Sequence, residues 1–188
     1  MPKPWSIAVL FLAVLANEPA YACRVTAPLV LDDVKFADVV LVGRISNYTI
    51  VRDNAQRQRM LSLPNLAPDM RKLYQDPRQS LIWDYARFDV QVDEVLFGKA
   101  PRRLSVTWDN STFGEPSELP RRPFLIALRD PTSRIPPLRG PSATIQPSRE
   151  PGRLTLLQAP CSSPLMFEST SDNARAIRQI LKARSQGR

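Results

Sequence analysis

Two alternating segments narrow the fold more than any other feature of this sequence. Ala86, Phe88, Val90 and Val92 alternate with Arg87, Asp89, Gln91 and Asp93, and Leu104, Val106 and Trp108 repeat the alternation shortly afterwards. A period of two belongs to a strand with one buried and one wet face, because successive side chains leave a strand on opposite sides. Phe97-Gly98-Lys99 lies between the segments as a turn, so the pair predicts an antiparallel hairpin.

The other elements are shorter. Residues 39–45 (VVLVGRI) form a β-branched run with Gly43 inside it, and a glycine within a strand marks a bulge or sharp coil. Asp32 or Asp33 is placed to cap a helical turn carrying Val34, Phe36 and Ala37 just before that run. FLIAL at 124–128 reads as a central strand, since prolines and charges bound it, and residues 153–158 read as a last short strand. Asp172 is placed to cap a terminal helix with Ile177, Ile180 and Leu181 on one face, and residues from Ala183 onward are expected to fray.

Two stretches break the pattern. Residues 52–80, with Arg52, Arg57, Arg59, Arg71, Pro64, Pro68 and Pro77, read as an inserted loop with a helical turn or two around 68–74. Six prolines between 131 and 151 exclude regular structure over most of that loop. No internal repeat is visible. The chain is expected to be mainly β: a small five-stranded Greek-key barrel of the OB type, with an N-terminal helical turn and a C-terminal helix.

A chain of 188 residues suits one domain. Its first 22 residues read as a signal peptide: Lys3, an apolar run over 5–16, a polar Asn17-Glu18-Pro19, then the small-x-small pattern Ala20-Tyr21-Ala22. The apolar run falls short of the roughly 20 residues a spanning helix needs. Cleavage after Ala22 would leave a single domain, 23–188, in the periplasm or outside the cell. Cys23 would then come first, which also raises lipid anchoring at that residue as a minority route, although Ala20 stands where a lipobox has leucine. In an oxidising compartment Cys23 and Cys161 are expected to pair. A loop of that length stabilises by about 5 kcal/mol in the chain-entropy model.

The chain has no histidine, which removes the Ser-His-Asp and Cys-His arrangements and His-based metal cages together. Two cysteines do not make a four-cysteine zinc site. The available acids are Asp32, Asp33, Asp89, Asp93, Glu94 and Asp109; Asp93 and Glu94 are strand neighbours that point to opposite faces. No Ser-x-x-Lys surrounds Lys35, Lys72, Lys99 or Lys182, and Ser-Ser-Pro at 162–164 shapes a loop. No catalytic residue, cofactor or metal is therefore assigned, and the chain is read as a non-enzyme.

The net charge of +8 raises nucleic acid as a partner, since OB folds bind single strands with a positive groove and stacking aromatics. Trp83, Tyr85, Phe88 and Trp108 lie near Arg87, Arg102 and Arg103, but Phe88 and Trp108 continue the apolar alternation and belong to the core. Nucleic acid is accordingly not the expected partner. Anionic lipid headgroups or acidic polysaccharide suit the charge as well, and arginines that merely solvate a surface suit it best.

Cys23 behind a signal, ADVVLVGRI (37–45), YARFDVQVDEVLFG (85–98), FLIALRD (124–130), PCSSPL (160–165) and a closing helix together resemble the netrin-type module. That OB-fold family includes the tissue inhibitors of metalloproteinases and exported bacterial relatives. The resemblance covers roughly 22–46, 84–130 and 153–182. It implies that the α-amino group and carbonyl of Cys23 would chelate the zinc of a target protease, with Arg24 directed at its specificity pocket. A disulfide at Cys23 would hold the terminus rigid and so reduce the entropy lost on binding. Val25 stands where the inhibitors carry a second cysteine, and their remaining disulfides are missing. The expectation is thus an exported, disulfide-tied, monomeric module that binds an unknown protein partner through Cys23, Arg24 and the adjoining hairpin, flanked by the 52–80 insertion. Metalloprotease inhibition is the alternative, and binding of an anionic polymer or membrane surface the next.

Overall fold

A computed structural model describes residues 27–79, 81, 83–109, 115–135, 150–159 and 161–186. The leader, Cys23, Arg24 and most of the 131–151 loop lie outside the described residues. Among the described residues six strands form one sheet: β1 (Val39–Val51), β2 (Tyr85–Phe97), β3 (Arg103–Trp108), β4 (Pro123–Arg129), β5 (Leu154–Leu156) and β6 (Met166–Glu168). Their order is β1-β2-β3-β5-β4, and β4 returns to pair with β1, so five strands close into the Greek-key barrel expected of the sequence. β3 and β5 run parallel, and the remaining pairs run antiparallel. β6 continues the line of β5 along β4.

β1 belongs to both walls of the barrel and must coil to reach them. Its register on β2 shifts at Val40/Leu41 and again at Val42/Gly43. A Cβ at Gly43 would lie 2.5 Å from the Gln91 carbonyl oxygen, so the absent side chain permits the close approach. This is the irregularity the embedded glycine predicts.

The barrel interior holds Leu41, Phe88, Val90, Val106, Trp108, Ile126, Leu128 and Leu156. A second apolar layer lies outside β1 and β4. There Val40, Val42, Leu125, Ala127 and Leu157 meet Val34 and the buried face of α3 (Asp172–Gln186), Ala174, Ile177 and Leu181. The first five residues of β1 and most of β4 are thus covered on both sides, which is why VVLV and FLIAL are continuous runs without alternation.

The hairpin pairs as predicted, Phe88 opposite Val106 and Val90 opposite Leu104. The connection runs through Phe97-Gly98-Lys99 as predicted, but it is wide: after the Val92 amide, which donates to the Arg102 carbonyl (2.9 Å), β2 follows β1 as far as Val40 opposite Phe97 before the chain turns back to β3. Gly98 has φ +78°, and a Cβ there would meet the Asp38 carbonyl oxygen at 2.2 Å.

The helix caps also differ from expectation. Ser171 caps α3 by accepting the Ala174 amide at 3.2 Å, while Asp172 pairs with Arg175 on the helix surface. α3 then continues to Gln186, past the point where fraying is expected. Arg184 anchors that last turn by donating to the Lys35 carbonyl (3.0 Å) and lying over the Phe97 ring. The helical turn before β1 is a 3-10 segment, Leu31–Phe36, with no side-chain cap, and Asp32 pairs instead with Lys35.

The insertion is not a loop. It folds as α1 (Asn54–Leu61) and α2 (Pro68–Gln75), of which the sequence indicates the second. α1 has almost no apolar face and is held by polar contacts. Asp53 caps it by accepting the Gln56 amide (2.8 Å), and buried Arg57 donates to buried Asp84 at 2.7 Å. The Asp84 carboxylate also accepts the amides of Asp53 (3.0 Å) and Leu81 (2.9 Å), so this one side chain ties both ends of the insertion to the root of β2.

Candidate functional site

The first described residue, Ala27, donates its amide to the Cys161 carbonyl at 2.6 Å. That bond fixes where the chain emerges from the undescribed N-terminus. Cys161 sits on a short excursion that separates β5 from β6. The Leu157 amide bonds Ala127 of β4 (2.9 Å), Gln158 bridges to Pro164, and the Leu165 amide returns to the Leu157 carbonyl (2.9 Å). The residues between form a small hairpin with Cys161 near its tip.

Cys161 has φ +60°, a left-handed conformation that costs a non-glycine residue on the order of 1–2 kcal/mol. Surrounding contacts maintain it. The Trp108 indole N–H donates to Gln158 Oε1 (2.8 Å), and the Gln158 amide donates to the Ser162 carbonyl (2.7 Å). The Ser162 amide closes the turn onto Ala159 (3.1 Å). Because the Trp108 ring is buried in the barrel interior, this chain of bonds fastens the Cys161 hairpin to the core. The buried Ser162 hydroxyl has no hydrogen-bond partner among the described residues.

Cys23 and Arg24, the residues assigned to partner binding, lie outside the described residues. Ala27 follows Cys23 by four positions, a reach of at most about 14 Å for extended chain.

The candidate acids are spread over separate contacts. Asp93 pairs with Arg44 (3.0 Å), and Glu94 takes both terminal nitrogens of Arg178 (3.2 and 2.8 Å). Asp89 sits on the outer face of β2 in a polar recess of about 410 Å³ lined by Ser46, Asn47, Gln91, Arg103 and Ser105 among others. The Ser105 hydroxyl donates to one Asp89 oxygen and the Asn47 amide to the other at 2.8 Å. These two bonds, Ser105 first, hold the carboxyl below its ordinary range, so it is a hydrogen-bonding anion and a poor proton donor at neutral pH. Asn47 reaches it from a left-handed backbone, φ 52°, at an irregularity in β1. Among the described residues, no three of His, Cys, Asp and Glu group to hold a metal ion.

The four aromatic residues weighed for base stacking fall into separate settings. Phe88 and Trp108 are in the barrel core, as the alternation requires. Trp83 packs on Tyr74 of the insertion, ring centres 5.5 Å apart, and the Tyr85 hydroxyl donates to Glu150 at 3.0 Å.

The sequence reading misses Gln158 and Ala27 as parts of this edge. One signal for Gln158 was present: a core tryptophan requires an acceptor for its N–H. For Ala27 no side-chain signal exists, since the contact is made by backbone. No protein-family model matches the chain, and no curated protein matches it closely enough to count as a relative.

Proposed function

We propose that this chain is an exported binding module that presents its N-terminal edge, Cys23 and Arg24, to a protein partner and catalyses no reaction. The observation that carries this reading is the Ala27–Cys161 hydrogen bond on a hairpin anchored through Gln158 to Trp108. A terminus joined so closely to a fixed platform loses little entropy when a partner binds it. The short tether also suits a Cys23–Cys161 disulfide, which requires Cα atoms about 4.4–6.8 Å apart. The segments that resemble a netrin-type module are β1, β2, β4, the Cys161 hairpin and α3, and the resemblance belongs to this proposal.

The same tether favours a second reading, inhibition of a zinc metalloprotease by the free amine and carbonyl of Cys23. Binding of an anionic polymer or membrane surface rests on the +8 charge alone and ranks third. A photo-reactive residue at position 24, with a control at exposed position 118 outside the hairpin, tests the first reading in the native host. It predicts one partner crosslinked from position 24 and none from 118; equal labelling from both contradicts it. Adding one residue ahead of Cys23 displaces the amine and abolishes inhibition if chelation operates, whereas unchanged inhibition removes the second reading. A steep loss of binding with salt would mark the third.

A further inference from the structure

A groove of about 430 Å³ lies between the end of β2 and α3. Leu96 and Phe97 of β2 and Leu181 of α3 supply its apolar lining, and Arg178, Lys182 and Arg184 supply its charge, with Ser185 at the end. Among the described residues its lining holds three cations and no carboxylate. The three are not equivalent. Arg178 is engaged by Glu94 (2.8 Å), and Arg184 lies over the Phe97 ring and donates to the Lys35 carbonyl (3.0 Å). Lys182 is exposed and makes no ion pair or side-chain hydrogen bond among the described residues.

An apolar floor beside an uncompensated cation is complementary to one ligand chemistry, an anionic head on an apolar tail. Leu96 and Phe97 are half-buried, so water that solvates the ammonium still wets the part of them that faces the groove, and an inorganic anion would satisfy the charge while leaving the floor wet. A pocket of this volume falls within the range that holds one small ligand. We propose that the groove between β2 and α3 binds a free single-chain anionic amphiphile, a fatty-acid-type carboxylate, with its head at Lys182 and its tail across Leu96, Phe97 and Leu181. The site is separate from the N-terminal edge and stands independently of the function proposed there.

The test titrates the full chain with laurate and with dodecyltrimethylammonium, each below its micelle concentration, while backbone and methyl resonances are followed by NMR. Laurate is expected to shift Phe97, Leu181 and Lys182, saturating at one per chain, and to bind at least tenfold tighter than the cation, although the cation's tail is one carbon longer. Lys182→Glu should reduce laurate affinity at least tenfold, with Lys182→Gln intermediate; both changes are on the exposed face of α3, and a circular dichroism melt checks that each variant is folded. Equal binding of the two amphiphiles, laurate shifts centred elsewhere, or unchanged affinity in both variants would overturn the proposal. So would shifts caused only by phosphatidylglycerol vesicles, which would assign the groove to a membrane surface, or a dimer in sedimentation whose interface covers it.

Discussion

The two walls of the barrel are built on different principles. Six of the seven residues of β4 are buried, because the barrel interior covers one side and α3 with the 3-10 segment covers the other. β2 buries Ala86, Phe88 and Val90 and turns Arg87, Asp89 and Gln91 outward. The covered wall lies beneath α3 and, through Ala127, bonds the hairpin that holds Cys161. The open wall carries polar cross-strand contacts that tune local charge. Its outer positions therefore tolerate change, and equivalent positions on the covered wall do not.

Substitutions at the outer faces of the two walls break this comparison most strongly. Leu125→Ala, beneath α3, should cost about 2–5 kcal/mol of unfolding free energy by urea titration. Arg87→Ala, on the open wall, should fall within about 0.5 kcal/mol of wild type. Similar costs would mean that α3 does not form a true second layer. Gly43→Ala acts where β1 serves both walls. A Cβ there overlaps the Gln91 carbonyl and Val90, and forcing extra volume into such a contact should cost about 1–3 kcal/mol.

Smaller effects sharpen the account of each wall. Trp108→Phe keeps the core ring but leaves Gln158 without its donor, which should cost about 1 kcal/mol. Hydrogen exchange at the Ala27 amide should accelerate in this variant more than exchange at β2 amides; uniform acceleration would mean the hairpin is not fastened through that bond. The smallest effect is on the open wall. The Asp89 pKa lies below its ordinary 3.8, so the stabilisation it provides is present above that value and is lost as pH falls through the folded pKa. Ser105→Ala should raise the Asp89 pKa toward 3.8 in a carboxyl NMR titration, and Asn47→Ala should raise it less. An unmoved titration would contradict that assignment.

What was legible in the sequence follows the same division. Alternation places Phe88, Val106 and Trp108, and a continuous run bounded by prolines places FLIAL, since in both cases burial writes itself into hydropathy. Gly43 marks the coil of β1 because only the absence of a side chain allows the approach. Phe97-Gly98-Lys99 lies in the turn, as its glycine indicates, but that local signal says where β2 ends and not that its last residues pair with β1. α1 was invisible because a polar helix held by Arg57 and Asp84 has no apolar period, and its partner lies 27 positions away. Ser171 and Asp172 are both competent caps, and only the backbone geometry selects between them. The edge proposed for binding was legible only as a pair of cysteines; Trp108, Gln158 and Ala27 come together through the closure of the barrel.

The central claim is that an exported terminus is tied at Cys161, and intact mass spectrometry of the protein from its native host tests it most directly. The account predicts a mass beginning at Cys23, without lipid, that rises by about two hydrogens on reduction. A lipid-sized excess would mean an acylated terminus and end the chelation reading, and an unprocessed chain whose mass does not change on reduction would contradict the claim itself.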